Sequence, residues 1–169
     1  MRNINFILQR YANLFEQNVR VFFCKYNDPV YVKLEKIDIL VKVADEKNSD
    51  PILAELKEYS GDIDTELVKR SVRAIGQIIL KVDKASSKAV EIIGEIVKER
   101  SEIGVQEAVI VAKDIFRKFP DKYESLIKQL VLKLDDYNEP DSKASIIWII
   151  GEYAEKINES EILIERFLE

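Results

Sequence analysis

Val68-Lys69-Arg70-Ser71-Val72-Arg73-Ala74-Ile75-Gly76-Gln77-Ile78-Ile79-Leu80-Lys81-Val82 is the stretch from which the fold can be read. Its residues Val68, Val72, Ile75, Ile79 and Val82 step by four, three, four and three, which lines one face of an α-helix. The pattern also stands before it at Val30, Leu34, Ile37, Val41 and Ala44. It returns after it at Val105, Val109, Ala112, Phe116 and Phe119. A fourth copy reads Ile147, Ile150, Ala154 and Ile157, with Lys143 at its first position. The copies start 38, 37 and 38 residues apart.

Shorter amphipathic segments fill the intervals. Leu53 and Leu56 mark one, and Val90, Ile93 and Val97 the next. Leu126, Leu130 and Leu134 mark a third, and Ile164 and Leu168 a fourth. Ahead of the first copy, Phe15, Val19 and Phe22 suggest the second helix of an earlier pair, with Ile4, Ile7, Leu8 and Tyr11 in its partner. Asp28-Pro29 and Asp50-Pro51 each read as an N-cap followed by proline at the first helical position. Pro140 opens the fourth long helix, and Asp141 adds negative charge to its first turn. Phe119-Pro120-Asp121 ends one helix and starts another, with Asp121 as cap and Glu124 three residues on. No sustained two-residue alternation argues for a strand.

Helix pairs recurring at this interval describe an all-α solenoid of the HEAT or armadillo kind, whose repeats run to roughly 40–47 residues; tetratricopeptide repeats prefer about 34. One pair cannot bury both its apolar faces, so neighbours stack into a continuous core. An irregular helical bundle is the alternative; the register held over four copies favours the solenoid. Pairs are expected at about 3–24, 28–60, 64–100, 103–135 and 139–169, all within one piece of a longer solenoid, since neither end reads as a polar capping repeat.

Composition narrows the function. The 169 residues are 47% hydrophobic and 34% charged, with a net charge of −5, so a basic nucleic-acid-binding surface is disfavoured. One cysteine, Cys24, allows no intrachain disulfide and fits a reducing compartment. No apolar run approaches the ~20 residues of a membrane span. There is no histidine, which removes the commonest general base, the Ser-His-Asp and Cys-His arrangements and every His-containing zinc motif. The five glycines are isolated and form no phosphate loop; Gly76 and Gly151 hold matching places in their copies and suggest close helix packing. Asp135, Asp136, Glu139 and Asp141 lack EF-hand spacing and read as capping and solvation. Cys24, on an apolar stretch, reads as a core residue, and Trp148, in Ile146-Ile147-Trp148-Ile149-Ile150, as buried. No catalytic residue, cofactor site or metal site is expected.

Two cationic groups remain. Lys69, Arg70 and Arg73 fall in the first turns of one helix, and Lys113, Arg117 and Lys118 near the end of another. Both read first as solvated faces. The alternative for both is a face for an acidic partner or anionic lipid headgroups, with Lys69, Arg70 and Arg73 the candidate face for phosphoinositide.

Several segments resemble the β-adaptins, the large β subunits of clathrin adaptor complexes, most closely the type shared by the first and second complexes. They are Val21-Phe22-Phe23-Cys24-Lys25-Tyr26-Asn27-Asp28-Pro29, Tyr31-Val32-Lys33-Leu34-Glu35-Lys36, Val72-Arg73-Ala74-Ile75-Gly76 and Val105-Gln106-Glu107-Ala108. Asp114-Ile115-Phe116-Arg117-Lys118, Lys122-Tyr123-Glu124-Ser125, Glu139-Pro140-Asp141 and Ile147-Trp148-Ile149-Ile150-Gly151-Glu152-Tyr153-Ala154-Glu155 continue in order. Gln77-Ile78-Ile79 and Glu102-Ile103-Gly104 depart from the pattern and leave the branch open. The resemblance implies a non-catalytic trunk that cradles a medium subunit and pairs with a second large subunit, beside a small subunit. The assembled core would bind membrane peripherally, in the cytoplasm, on coated vesicles, trans-Golgi, endosomal or plasma membranes. Clathrin would be recruited through a hinge and appendage outside these residues. Another HEAT or armadillo transport receptor, or a coatomer-type subunit, is the alternative.

Overall fold

In the computed structural model, residues 18–99, 101–120 and 122–165 are described, with Ile4, Ile7 and Phe167. The helices are α1 (Val30–Val43), α2 (Ser49–Ser60), α3 (Thr65–Lys81), α4 (Ser86–Lys98), α5 (Glu102–Lys118), α6 (Glu124–Val131), α7 (Pro140–Glu152) and α8 (Ser160–Glu165). No strand occurs among the described residues. The chain is all-α, and its helices alternate long and short as the periodicity requires. It divides into two units, residues 1–92 and 93–169.

In the first unit, α1 and α2 are antiparallel: Lys33, early in α1, lies 3.8 Å from Asp62, just past the end of α2. α3 runs alongside α1 in the same direction. Arg70 reaches Asp38 at 3.3 Å, and the Lys81 ammonium donates to the Val41 carbonyl at 3.1 Å. Lys84 meets Glu46 at 3.8 Å and Lys88 meets Asp50 at 3.1 Å, both across 38 residues. The interval in the apolar pattern is therefore the interval at which one helix pair touches the next. The Lys84 and Lys88 pairs are exposed and contribute little energy; burial supplies the stability. α3 buries Leu67, Val68, Val72, Ala74, Ile75, Ile78 and Ile79 against its neighbours. Each large one stabilises by about 1.5–3 kcal/mol before chain entropy is counted. Asp64 caps the helix by accepting from the Leu67 N–H at 2.9 Å.

In the second unit, α5 and α7 run in the same direction. Gln106 meets Ser142 near their starts at 2.7 Å, and Phe116 meets Tyr153 near their ends with ring centroids 5.4 Å apart. α5 buries Val105, Ala108, Val109, Ala112, Ile115 and Phe116, and Ser101 caps it through the Gly104 N–H.

The expected caps are partly corrected. Pro140 does open α7. α1, however, starts at Val30 with Pro29 as N-cap, and Asp28 is used elsewhere. α2 starts at Ser49, so Asp50 and Pro51 lie inside its first turn and Asn48 precedes it. Asn48 is held by its own turn: its side chain donates to the Val43 carbonyl and accepts from the Asp45 N–H. α6 takes Tyr123 as N-cap, and Asp121 lies outside the described residues.

Two stripes are rotated from their expected positions. Val30 is 38% exposed, and α1 buries Ile37, Ile39, Leu40 and Val43. α7 buries Ser142, Ser145, Ile146, Ile149 and Ile150, while Ile147 is half-buried and Ala154 exposed. Four near-consecutive isoleucines and a tryptophan carry little phase information, and the two serines decide the face. Each returns its hydroxyl to a carbonyl of the preceding turn, Ser145 to Asp141 and Ser142 to Glu139, and so enters the core without an unmet hydrogen bond. Val19 and Phe22 are buried, as expected, but on a 3-10 turn at 18–22 in place of an α-helix. Ile4 and Ile7 are helical; Leu8, Tyr11, Phe15 and Leu168 lie outside the described residues. Gly76 is buried, whereas Gly151 is exposed with open space around it, so close packing does not explain the second glycine.

Candidate interaction surface

Lys69, Arg70 and Arg73 stand on α3 opposite its buried face. Lys69 and Arg70 are half-buried and Arg73 is exposed. The structure uses Arg70 internally, to pair with Asp38 on α1. Burial pushes the Asp38 carboxyl up from its ordinary value, and the Arg70 guanidinium opposes that shift.

The second cationic group is organised around aromatic rings. Arg117 lies 5.7 Å over the Trp148 ring, and Lys118 lies 4.9 Å from the Phe119 centroid. Lys122 approaches both Phe119 and Tyr123, at 5.1 and 5.3 Å, and those rings meet edge to face. A cation over a ring face is attracted by the ring quadrupole and stays partly hydrated. This corrects the expectation for Trp148, which is half-buried because one face is left for Arg117.

Three polar residues that apolar spacing does not reveal organise the chain. Lys36 is buried on α1; its ammonium donates to the Phe23 carbonyl at 3.1 Å and to Asp28 Oδ2 at 2.5 Å. The Lys36 bond to Asp28, with that from the Lys25 N–H, holds the Asp28 carboxyl below its ordinary value. Tyr59 accepts the Cys24 N–H at 2.7 Å and donates to Glu55 at 2.9 Å, tying residues 23–28 to α2. Cys24 is half-buried, and burial pushes its thiol up, which keeps it protonated and a poor nucleophile. Gln106 is buried on α5, and its Oε1 accepts from the N–H groups of Asn138 and Glu139.

No helix among the described residues is long and apolar enough to cross a membrane. The arrangement offers ion pairing, aromatic stacking and exposed helix faces, which suit recognition of another macromolecule.

Fold and surface together define an all-α, helix-pair repeat protein of the solenoid class. The adaptin N-terminal region profile matches residues 1–169, and the chain belongs to that family. It is 48% identical to AP-1 complex subunit beta of Dictyostelium discoideum and 46% identical to AP-1 complex subunit beta-1 of Homo sapiens, each over all 169 residues. It is 43% identical over 168 residues to AP-2 complex subunit beta of Schizosaccharomyces pombe, covering 99% of the chain. The chain spans 18% of the length of each AP-1 relative and 25% of the AP-2 relative.

Proposed function

We propose that this chain is a non-catalytic section of the trunk of a clathrin-adaptor β subunit, acting in vesicle-mediated and intracellular protein transport. The observation that carries this reading is the end-to-end match, at 46–48% identity, to β subunits of AP-1 complexes. The work of such a section is to hold other adaptor subunits: a medium subunit, a small subunit and a second large subunit. The helix pairs expected at about 3–24, 28–60, 64–100, 103–135 and 139–169 would present exposed faces for that binding. The Lys69, Arg70 and Arg73 face would meet an acidic patch of a partner or of the membrane. In this reading the protein works in the cytoplasm, reaches coated membranes as part of a complex, and meets clathrin only through other segments.

The test is affinity isolation of the tagged full-length gene product under gentle lysis, followed by quantitative mass spectrometry. Medium, small and second large adaptor subunits in near-equal amounts support the reading. Coatomer subunits, or a soluble transport cargo without adaptor subunits, would replace it with another helical-repeat carrier.

A further inference from the structure

Two loops meet at one end of the α1–α2 pair. Residues 23–28 lead into α1, and residues 61–64 join α2 to α3. The Cys24–Tyr59 hydrogen bond and the Lys33–Asp62 ion pair fasten them to the same end. Tyr26 is 97% exposed at the tip of the first loop, and Ile63 is 98% exposed at the tip of the second. Val30 and Tyr31, in the first turn of α1 and soon after Tyr26 in sequence, are also exposed. These are four of the nine large apolar side chains exposed among the described residues. Scattered single exposed apolar residues need no explanation, but a cluster on one edge does.

The loops are firmly held. The Lys25 N–H and the Lys36 ammonium both bond Asp28 Oδ2, Lys36 also bonds the Phe23 carbonyl, and the Asp28 N–H returns to the Lys25 carbonyl. On the other side, Asp62 accepts from the Asp64 N–H, and Asp64 caps α3. A large apolar side chain on a preorganised backbone loses little further entropy when it is covered, which is the condition for a binding anchor.

The charge around the edge selects the occupant. Residues 55–66 carry five carboxylates (Glu55, Glu58, Asp62, Asp64 and Glu66) against Lys57, and residues 23–36 carry Lys25, Lys33 and Lys36 against Asp28 and Glu35, which leaves the edge with a net charge of −3. An anionic bilayer is repelled by such a rim, whereas a protein surface with basic residues around an apolar pocket is attracted. We infer that this edge is a docking surface on which Tyr26 and Ile63 insert into apolar pockets of another subunit, within a basic rim. This rests on the adaptor reading and adds to it the place of contact.

The experiment co-expresses the full-length protein with the medium, small and second large subunits, as wild type and as the Tyr26→Ser, Ile63→Ser double variant. Both side chains are exposed, so the variant folds, which circular dichroism and an unchanged melting temperature verify. The expected result is loss of at least one subunit from the purified complex, with its Kd raised about tenfold or more. An identical complex from both proteins would overturn the docking surface alone. Absence of any complex from wild type would overturn the adaptor reading and the docking surface with it. Vesicles rich in phosphatidylserine form a separate arm; binding by wild type that the variant loses would put a membrane where a protein is proposed.

Discussion

Gln106 Oε1, carried on α5, lies 2.7 Å from Ser142 Oγ in the first turn of α7, 36 residues further along the chain. The same oxygen accepts from the Asn138 and Glu139 N–H groups at 3.2 and 2.7 Å. Pro140 brings no N–H to this helix start, and Glu139 makes no side-chain cap bond. The cap that sequence usually places next to a helix is supplied here by the preceding repeat.

Gln106→Leu should therefore cost about 1–3 kcal/mol, the penalty for donors that lose a buried acceptor. Gln106→Glu keeps an acceptor oxygen and should cost less. Urea unfolding of the three proteins provides the comparison, and equal loss for Leu and Glu would show that only volume matters there.

Acid should loosen the entry to α1. Asp28 is held below its ordinary value by Lys36 first and by the Lys25 N–H second. A carboxyl with a depressed folded-state pKa contributes stability that is complete above its unfolded value, near 3.8, and is lost as pH falls through the folded value. Stability of the wild type should thus fall more steeply below about pH 4 than that of Asp28→Asn. At pH 7 the variant should be the less stable of the two. Parallel pH profiles between pH 2 and 7 would refute the linkage.

Glycines in the second unit should divide by sign. A Cβ on Gly151 meets nothing within 4 Å, so Gly151→Ala should stabilise by roughly 0.5–1 kcal/mol through backbone entropy alone. On Gly104 a Cβ would lie 3.2 Å from both the Ile96 side chain and the Ser101 capping oxygen. Ile96 is fully packed, so Gly104→Ala should lower the melting temperature by several degrees. The opposite order of melting temperatures would count against the packing described for α5.

Much of the fold was legible in sequence because repetition multiplies a weak signal. Val68, Val72, Ile75 and Ile79 are all buried, and the 38-residue offset reappears as physical pairs such as Lys88 with Asp50. The fourth copy differs in phase because Ile146 to Ile150 is apolar on every side, so Ser142 and Ser145 settle the face. Lys36 and Gln106 leave no signature in the sequence because polar residues inside a core are explained by distant partners, which a periodicity does not contain. The cationic residues were found, but not their uses: Arg70 serves Asp38, and Arg117 covers Trp148. Exposed contact edges have no period, which is why Tyr26 and Ile63 emerged only from the structure.

The central claim is that this chain holds adaptor subunits in place. Its most direct measurement is co-expression of the full trunk with the N-terminal domain of a medium adaptor subunit, followed by size-exclusion chromatography with light scattering. The account predicts one stable species with the mass of a one-to-one complex. A well-folded trunk that elutes alone, with the medium subunit in a separate peak, would contradict it.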